Sequence, residues 1–594
     1  MNNYIPSINE SINAKNTSSI DLCNTFIVNE YYHRLASTSH TIMMGPRGSG
    51  KTTLMRMLEV RSLELWDKEL AEQFRSLIDF SGVFIPTDRV WKTQYENVSN
   101  RLKNKEDFCV LKSQFIYHIL QQLALTVSFR TCRVTKKKNM FRHVELDKHE
   151  ESELVKELSE LWCIEPKINS LKSLISGIAL KKIIVSKYLN QILISGSSEI
   201  RPNVVNDDIH EILDASISII NVYLNESGEK WAFLFDELEL APDEIVQPLI
   251  DSMRGGNQDI ILKLALSPYH RGVEITNSPD SSMIDQDLSF IDLTELSESE
   301  GVKFSEELCR NLFIKKGIYG SVEDYFENPK DIDIDEVFES LVLKDEGFNQ
   351  YLNNKELHGV IYNEAKDKKS QLRKVKFIAY LRDYSKGKDK RFISRRRAAD
   401  YYAGFENICK STEYNPRMLI GIMNMFIPLI KDKGKVTIAE QISGLETYFE
   451  SFRSLLSTIA VDSRDPRINN IYDLVDLIAN YFKHELYGDK FNSEPKGMLL
   501  IDETIPPDLR DAIGFALNAG AMISVKNSND SPKDKVLKCR LSYLFSHHYG
   551  LLLTKQKKIS LDKIMRIKNV KLESISLVNA YSFDEDRQLG LNIE

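Results

Sequence analysis

Residues 41–53 read TIMMGPRGSGKTT and carry the spacing G-x-x-x-x-G-K-T from Gly45 to Thr52. The apolar run Ile42, Met43, Met44 precedes the loop and LMRMLEVRSLELW follows it, which predicts strand, loop and helix in that order. A polyphosphate has to be wrapped by successive backbone N–H groups, and glycine lets the backbone approach that closely. Gly45, Pro46, Arg47, Gly48, Ser49, Gly50, Lys51, Thr52 and Thr53 are therefore the candidate nucleotide-binding residues. In such a loop Lys51 reaches the β- and γ-phosphates and the Thr52 hydroxyl takes a Mg²⁺ position, so ATP and Mg²⁺ are the expected ligands.

A hydrolysing loop of this kind needs acids at the end of a neighbouring strand. WAFLFDELEL, residues 231–240, supplies an apolar run ending in Asp236 and Glu237. Asp236 would hold Mg²⁺ and Glu237 would polarise the attacking water. QDIILKLALSPYH, residues 258–270, reads as a further buried strand ending in Ser267. That side chain would sense a γ-phosphate; an ordinary turn residue before Pro268 is an equally good reading. SGVFIPTDRVW, residues 81–91, fits one more strand. These pieces predict an α/β fold: a P-loop NTPase core on a parallel sheet.

MMGPRGSGKTTL, FLFDELELAP, LALSP and the later YNPRMLIGIMN (414–424) together resemble AAA+ ATPases, above all the origin-recognition and replication-initiator branch. The resemblance implies a helical lid whose Arg417, at a helix start behind Pro416, touches the γ-phosphate as a "sensor 2". It also implies an arginine finger reaching a neighbouring subunit, and hence a homo-oligomer. Arg271, before the FIDLTEL strand (290–296), is ranked slightly ahead of Arg254 for that role. Insertions of the size seen here also occur in signalling ATPases of the STAND type and in the KAP group. Bacterial initiator-like ATPases with such insertions imply a role in anti-phage or mobile-element defence.

The chain has 594 residues, enough for two to four domains, with 42% hydrophobic and 28% charged residues. That balance excludes fibrous and wholly disordered classes. A net charge of −8 argues against a surface devoted to nucleic acid. The seven cysteines form no C-x-x-C pair, so neither a zinc ribbon nor a disulfide framework is expected and a reduced cytoplasm is the simplest compartment. No signal peptide and no membrane span are expected; the 113–129 stretch is too polar for one.

The expected layout is an N-terminal extension (1–20), an ATPase core (21–296) with a helical insertion near 100–220, a helical lid (297–430) with a charged insertion near 318–400, and a winged-helix-like C-terminal domain with a basic tail (431–594). The charged insertion is segregated. Ser321–Gly347 holds ten acids, whereas Lys366–Arg397 holds fourteen basic residues with Phe377, Tyr380, Tyr384 and Phe392 among them. The basic part suits phosphate contact with stacking aromatics, unless the acidic part folds back and neutralises it. In the C-terminal domain, Lys526, Lys533, Lys535, Lys538 and Arg540 on a hairpin and the basic Lys555–Lys571 stretch could hold duplex DNA without reading sequence. The helix from Pro507 offers few base-reading side chains, chiefly Arg510 and Asn518. The doublet His547-His548 has no Cys or acidic ligand at metal-site spacing.

Two functions fit, the first narrowly ahead. It is a regulatory ATPase that senses nucleic acid and acts through a protein effector; a DNA-loading initiator is an alternative to it. The other is a nucleotide-gated switch that holds an effector without touching DNA.

Overall fold

The computed structural model describes residues 17–567 except 88–89, 100–104, 133–140, 196–200, 206–207, 254–257, 271–287, 330, 358–368, 387–398 and 526–535. The chain divides into two compact units, Met1–Gly45 with Gly50–Leu293, and Pro46–Ser49 with Thr294–Glu594.

In the first unit the apolar runs form five strands: β1 (His40–Met44), β2 (Ser81–Pro86), β3 (Trp231–Asp236), β4 (Ile260–Leu266) and β5 (Leu288–Asp292). β3 and β4 are buried at every position, as expected of strands covered on both faces. The sheet is parallel in the order β2-β3-β4-β1-β5. Non-sequential neighbours of this kind need crossovers, and ligands gather outside the carboxyl ends of the strands where the order reverses.

The single helix expected after the loop is broken in two, α1 (Lys51–Arg56) and α2 (Val60–Leu65). At the break, the Leu58 carbonyl presses on Gly82 of β2, where a Cβ would lie 2.1 Å from the oxygen. Only glycine fits there.

Four long helices fill the first insertion: α3 (Lys105–Arg130), α4 (Lys148–Leu161), α5 (Leu171–Ser195) and α6 (Ile209–Tyr223). Their apolar faces share one buried cluster with β2, β3 and β4. Phe115 of α3 stacks on Phe235 of β3, and the His118 ring meets the Pro86 carbonyl at 2.9 Å. Trp162, behind α4, donates to Ser216 of α6, and Trp231 of β3 donates to Asn221 of the same helix. The insertion completes the core of the unit.

The second unit opens with α7 (Glu298–Lys315), started by a capping box of Ser297 and Glu300. The acidic part of its insertion includes α8 (Ile334–Lys344), and the basic part includes α9 (Lys369–Lys386). α10 (Pro416–Lys433), α11 (Ile438–Ser457) and α12 (Ile471–Tyr487) follow. Next come β6 (Lys496–Ile501), α13 (Pro507–Ala519), β7 (Met522–Ser524), β8 (Leu537–Leu541) and β9 (Lys557–Ser560). The smaller sheet has the order β7-β8-β6-β9, with β7 and β8 pairing antiparallel as a hairpin and β9 joining β6 in parallel. Helix, strand, helix and hairpin give a winged-helix-like region, with β9 as an addition that the sequence reading lacked. No helix among the described residues is long and apolar enough to cross a membrane.

Candidate nucleotide-binding site

β1 delivers the loop at the carboxyl edge of the sheet, where the Gly45 N–H donates to the Leu266 carbonyl of β4 (3.3 Å). Lys51 is 7% exposed, and its Nζ donates to the Gly45 carbonyl at 2.5 Å, folding the lysine back over its own loop. Gly48 and Gly50 have φ of +87° and +98°, a region costly for residues with a Cβ.

Asp236 ends β3 and Ser267 directly follows β4, the strand lying between β3 and β1. Both residues therefore sit at the edge from which the loop springs. Asp236 is 1% exposed and neither carboxylate oxygen has a hydrogen-bond partner. Its pKa is pushed up to about 6, chiefly by burial and further by the charges of Glu237 and Glu239. The neighbouring Thr52 hydroxyl and, more weakly, the charge of Lys51 oppose the shift. A buried acid without a donor is costly unless a cation meets it, so Thr52 and Asp236 fit a Mg²⁺ ion held with phosphate oxygens. Glu237 takes a left-handed backbone (φ +54°) and leads the short 3-10 turn Leu238–Leu240. Such strain in a non-glycine residue often marks a functional position. Ser267 is 6% exposed.

The middle of the loop, Pro46–Ser49, belongs to the second unit. Asn415 caps α10, its Oδ1 accepting from the Arg417 and Met418 N–H groups. Its Nδ2 donates to the Arg47 carbonyl (3.2 Å), and the Arg417 N–H lies 3.4 Å from the Gly48 carbonyl. A Cβ on Gly48 would meet Arg417 Cβ at 2.7 Å, so glycine is required on steric grounds as well. The Arg47 N–H donates to the Asn518 carbonyl at the end of α13 (2.9 Å). Nothing in the local sequence around Asn518 signalled that contact.

Several basic residues read as phosphate or base contacts are engaged elsewhere. Arg540 of β8 grips both oxygens of Glu413 (2.6 and 2.7 Å) and stacks over Tyr543. Arg510 donates to the Ile505 and Glu503 carbonyls. In α9, Arg382 is fully buried and donates to Asp345 (2.6 Å) and to the Leu486 and Gly488 carbonyls, while Lys344 of α8 pairs with Asp383 (2.9 Å). The acidic part of that insertion does fold back on the basic part at these two pairs. Tyr380 is buried, and Phe377 packs on Tyr401, so neither stands ready for a base. Lys366, Lys388, Lys390, Arg391, Phe392 and Arg395–Arg397 lie outside the described residues, as do Lys526, Lys533, Lys535, Lys568 and Lys571. Arg271 and Arg254 also lie outside them.

The histidine doublet has acidic neighbours after all. Glu446 of α11 faces both rings, at 3.0 Å from His547 Nε2 and 2.8 Å from His548 Nδ1. Burial works to raise the Glu446 pKa, but the two imidazoles hold it down at about 2. Glu446, Glu450 and His548 offer ligand atoms within 4.8 Å of one another. Glu446 spends both oxygens on the rings and Glu450 pairs with Arg453 (3.0 Å), so both carboxylates of the cluster already have protein partners.

A five-stranded parallel sheet in this order, with the loop on its central β1–β4 pair and acids at the end of β3, defines an AAA+ P-loop ATPase. The sequence itself agrees: residues 7–561 match the ORC-CDC6-like family, and the chain belongs to that family. ATPase chemistry with ATP and Mg²⁺ is the general property of such proteins. No curated protein gives a significant match to the chain.

Proposed function

We propose that this chain is a Mg·ATP-gated switch that reports its nucleotide state to a protein effector through the lid and winged-helix-like region. The observation that carries the reading is the buried Asp236 carboxylate, with no cation bonded to it, at the edge from which the loop springs. Lys51 would swing from the Gly45 carbonyl to the β- and γ-phosphates, and Thr52 and Asp236 would hold Mg²⁺. The ion would neutralise phosphate charge. Glu237 would orient and polarise the attacking water, Ser267 would sense the γ-phosphate, and Arg417 would approach it from the head of α10. Arg271 is the proposed finger in trans, with Arg254 as its rival, and a homo-oligomer goes with either. The layout proposed from the sequence, core to 296, lid to 430 and winged-helix region beyond, fits this division of labour.

A nucleic-acid input is the second reading. With Arg382, Arg510 and Arg540 turned inward, its best described support is the basic edge strand β9 and its flanks, where Lys555, Lys557 and Lys563 are exposed. A role in anti-phage or mobile-element defence, in a cytoplasmic setting, is proposed on the family resemblance.

Titration calorimetry with Mg·ATP tests the site. Lys51→Ala is expected to weaken ATP binding by about 100-fold or more, since the phosphates lose their main countercharge. Wild-type affinity in Lys51→Ala would overturn the assignment. Turnover measured with duplex DNA across a salt series separates the readings: stimulation that fades with salt supports the DNA input, and turnover indifferent to DNA supports the effector switch alone.

A further inference from the structure

Arg540 was read in the sequence as a phosphate contact, but its surroundings give it another task. Its guanidinium forms a two-pronged bond with Glu413, and both side chains are 11% exposed. The Tyr543 N–H, just beyond β8, adds a third donor to the same carboxylate (2.6 Å). Tyr543 also offers its ring to the guanidinium, 3.8 Å from the centroid. Burial alone would lower the arginine's pKa, yet Glu413 outweighs it and the net shift is upward, so the pair stays charged.

The segment this pair holds is unusual. Glu413 and Tyr414 are consecutive non-glycine residues in the left-handed region, with φ of +56° and +53°. L-residues avoid that conformation unless the surroundings impose it. The Tyr414 ring is wedged against Gly301 of α7, where a Cβ would meet it at 2.6 Å. The next residues are Asn415, which donates to the Arg47 carbonyl, and Pro416 and Arg417, which open α10 against Gly48. A second link runs from the Asn518 carbonyl, in the same winged-helix region, to the Arg47 N–H. Both the carbonyl and the N–H of Arg47 are thus held, one by the head of α10 and the other by the end of α13.

We infer that Glu413 and Arg540 are positioning residues of the nucleotide site: the bracket between the β7–β8 hairpin and the strained Glu413-Tyr414 turn sets where Asn415 and Arg417 hold the phosphate-binding loop. The inference rests on the nucleotide reading proposed above. A directed bidentate pair fixes position as well as charge, which a single lysine contact would not do. Whatever moves the hairpin then changes the grip of Pro46–Ser49 on phosphate. The winged-helix region becomes an input to nucleotide affinity as well as its output.

The test is a charge-swap cycle in the full chain, read by calorimetric affinity for Mg·ATP and Mg·ADP and by the KM and kcat of turnover. Glu413→Arg and Arg540→Glu are each expected to weaken ATP binding and raise KM by about tenfold, and the double swap to recover most of that loss. Arg540→Lys keeps the charge, loses the fork, and carries the test if a swap variant fails to fold; about a threefold loss is expected of it. Folded variants that bind ATP like the wild type, even with a lowered Tm, would show a structural pair only and overturn the inference. Lys51→Ala runs alongside: wild type binding ATP no better than Lys51→Ala would overturn the nucleotide reading and this inference with it. Loss in Lys51→Ala with unchanged bracket variants would overturn this inference alone.

Discussion

Asp236, at the carboxyl edge of the core sheet, and Asp345, in the charged insertion, are both almost completely buried, at 1% and 2% exposure. Asp345 meets the Arg382 guanidinium, which also bonds two backbone carbonyls, so that arginine ties the insertion to the segment behind α12. Asp236 has no cation bonded to it. A buried charge matched inside the protein fastens structure together, whereas one left unmatched holds a place for something that arrives from solution. The same residue type thus serves architecture in one region and, on the proposed reading, chemistry in the other.

The sharpest way to break this contrast is to remove one partner on each side. Arg382→Ala should destabilise the chain by about 3–5 kcal/mol, because Asp345 is left buried without its cation; denaturant melts check it, and a loss below about 1 kcal/mol would mean that the pair is solvated. Glu237→Gln comes next, on the chemical side. It should bind ATP like the wild type yet turn it over about 100-fold more slowly, because charge is rearranged only where the water is polarised. Equal loss of binding in Glu237→Gln and Lys51→Ala would remove Glu237 from its role.

Asp236→Asn should act with the opposite sign to Arg382→Ala. The folded pKa of Asp236, about 6, lies above the unfolded value of 3.8. The folded chain therefore keeps a proton that the unfolded chain has lost, and stability falls as pH rises through that window. Without Mg²⁺ at pH 7.5, Asn in place of Asp236 should stabilise by up to about 3 kcal/mol. The gain should vanish below about pH 4, where both states are protonated. Melts of both proteins from pH 4 to 8 check it; a pH-independent difference would contradict the burial account.

The placement of the candidate nucleotide site in the fold was legible because its signals are local. Gly45 to Thr52 is one contiguous run, and Asp236 and Ser267 each end an apolar strand, so period and position sufficed. Even there, Lys263 lies buried inside β4, a strand read as buried with no role given to its lysine; its Nζ donates to the Ser37 and Ser39 carbonyls and burial lowers its pKa to about 7. The insertions were legible as helices but not as partners. Arg382 finds Asp345, and Arg540 finds Glu413, across stretches whose helical phase and chain path no local pattern fixes. Glu446 and the His547-His548 pair escaped for the same reason, since their spacing in sequence says nothing about a helix packing on a turn. A run of positive charge does not reveal which of its members point inward.

The sharing of one apolar core between α3–α6 and strands β2–β4 has a consequence for how the first unit comes apart. An appended module would melt and exchange its amides on its own schedule. Here Phe115, Trp162 and Trp231 bury one another's neighbours, so amides of α3 and of β3 should lose hydrogen-exchange protection together, as one cooperative block. Excising 100–220 would then leave the central strands with one face uncovered. The segment that looks most like a late acquisition is the one the ATPase sheet cannot do without.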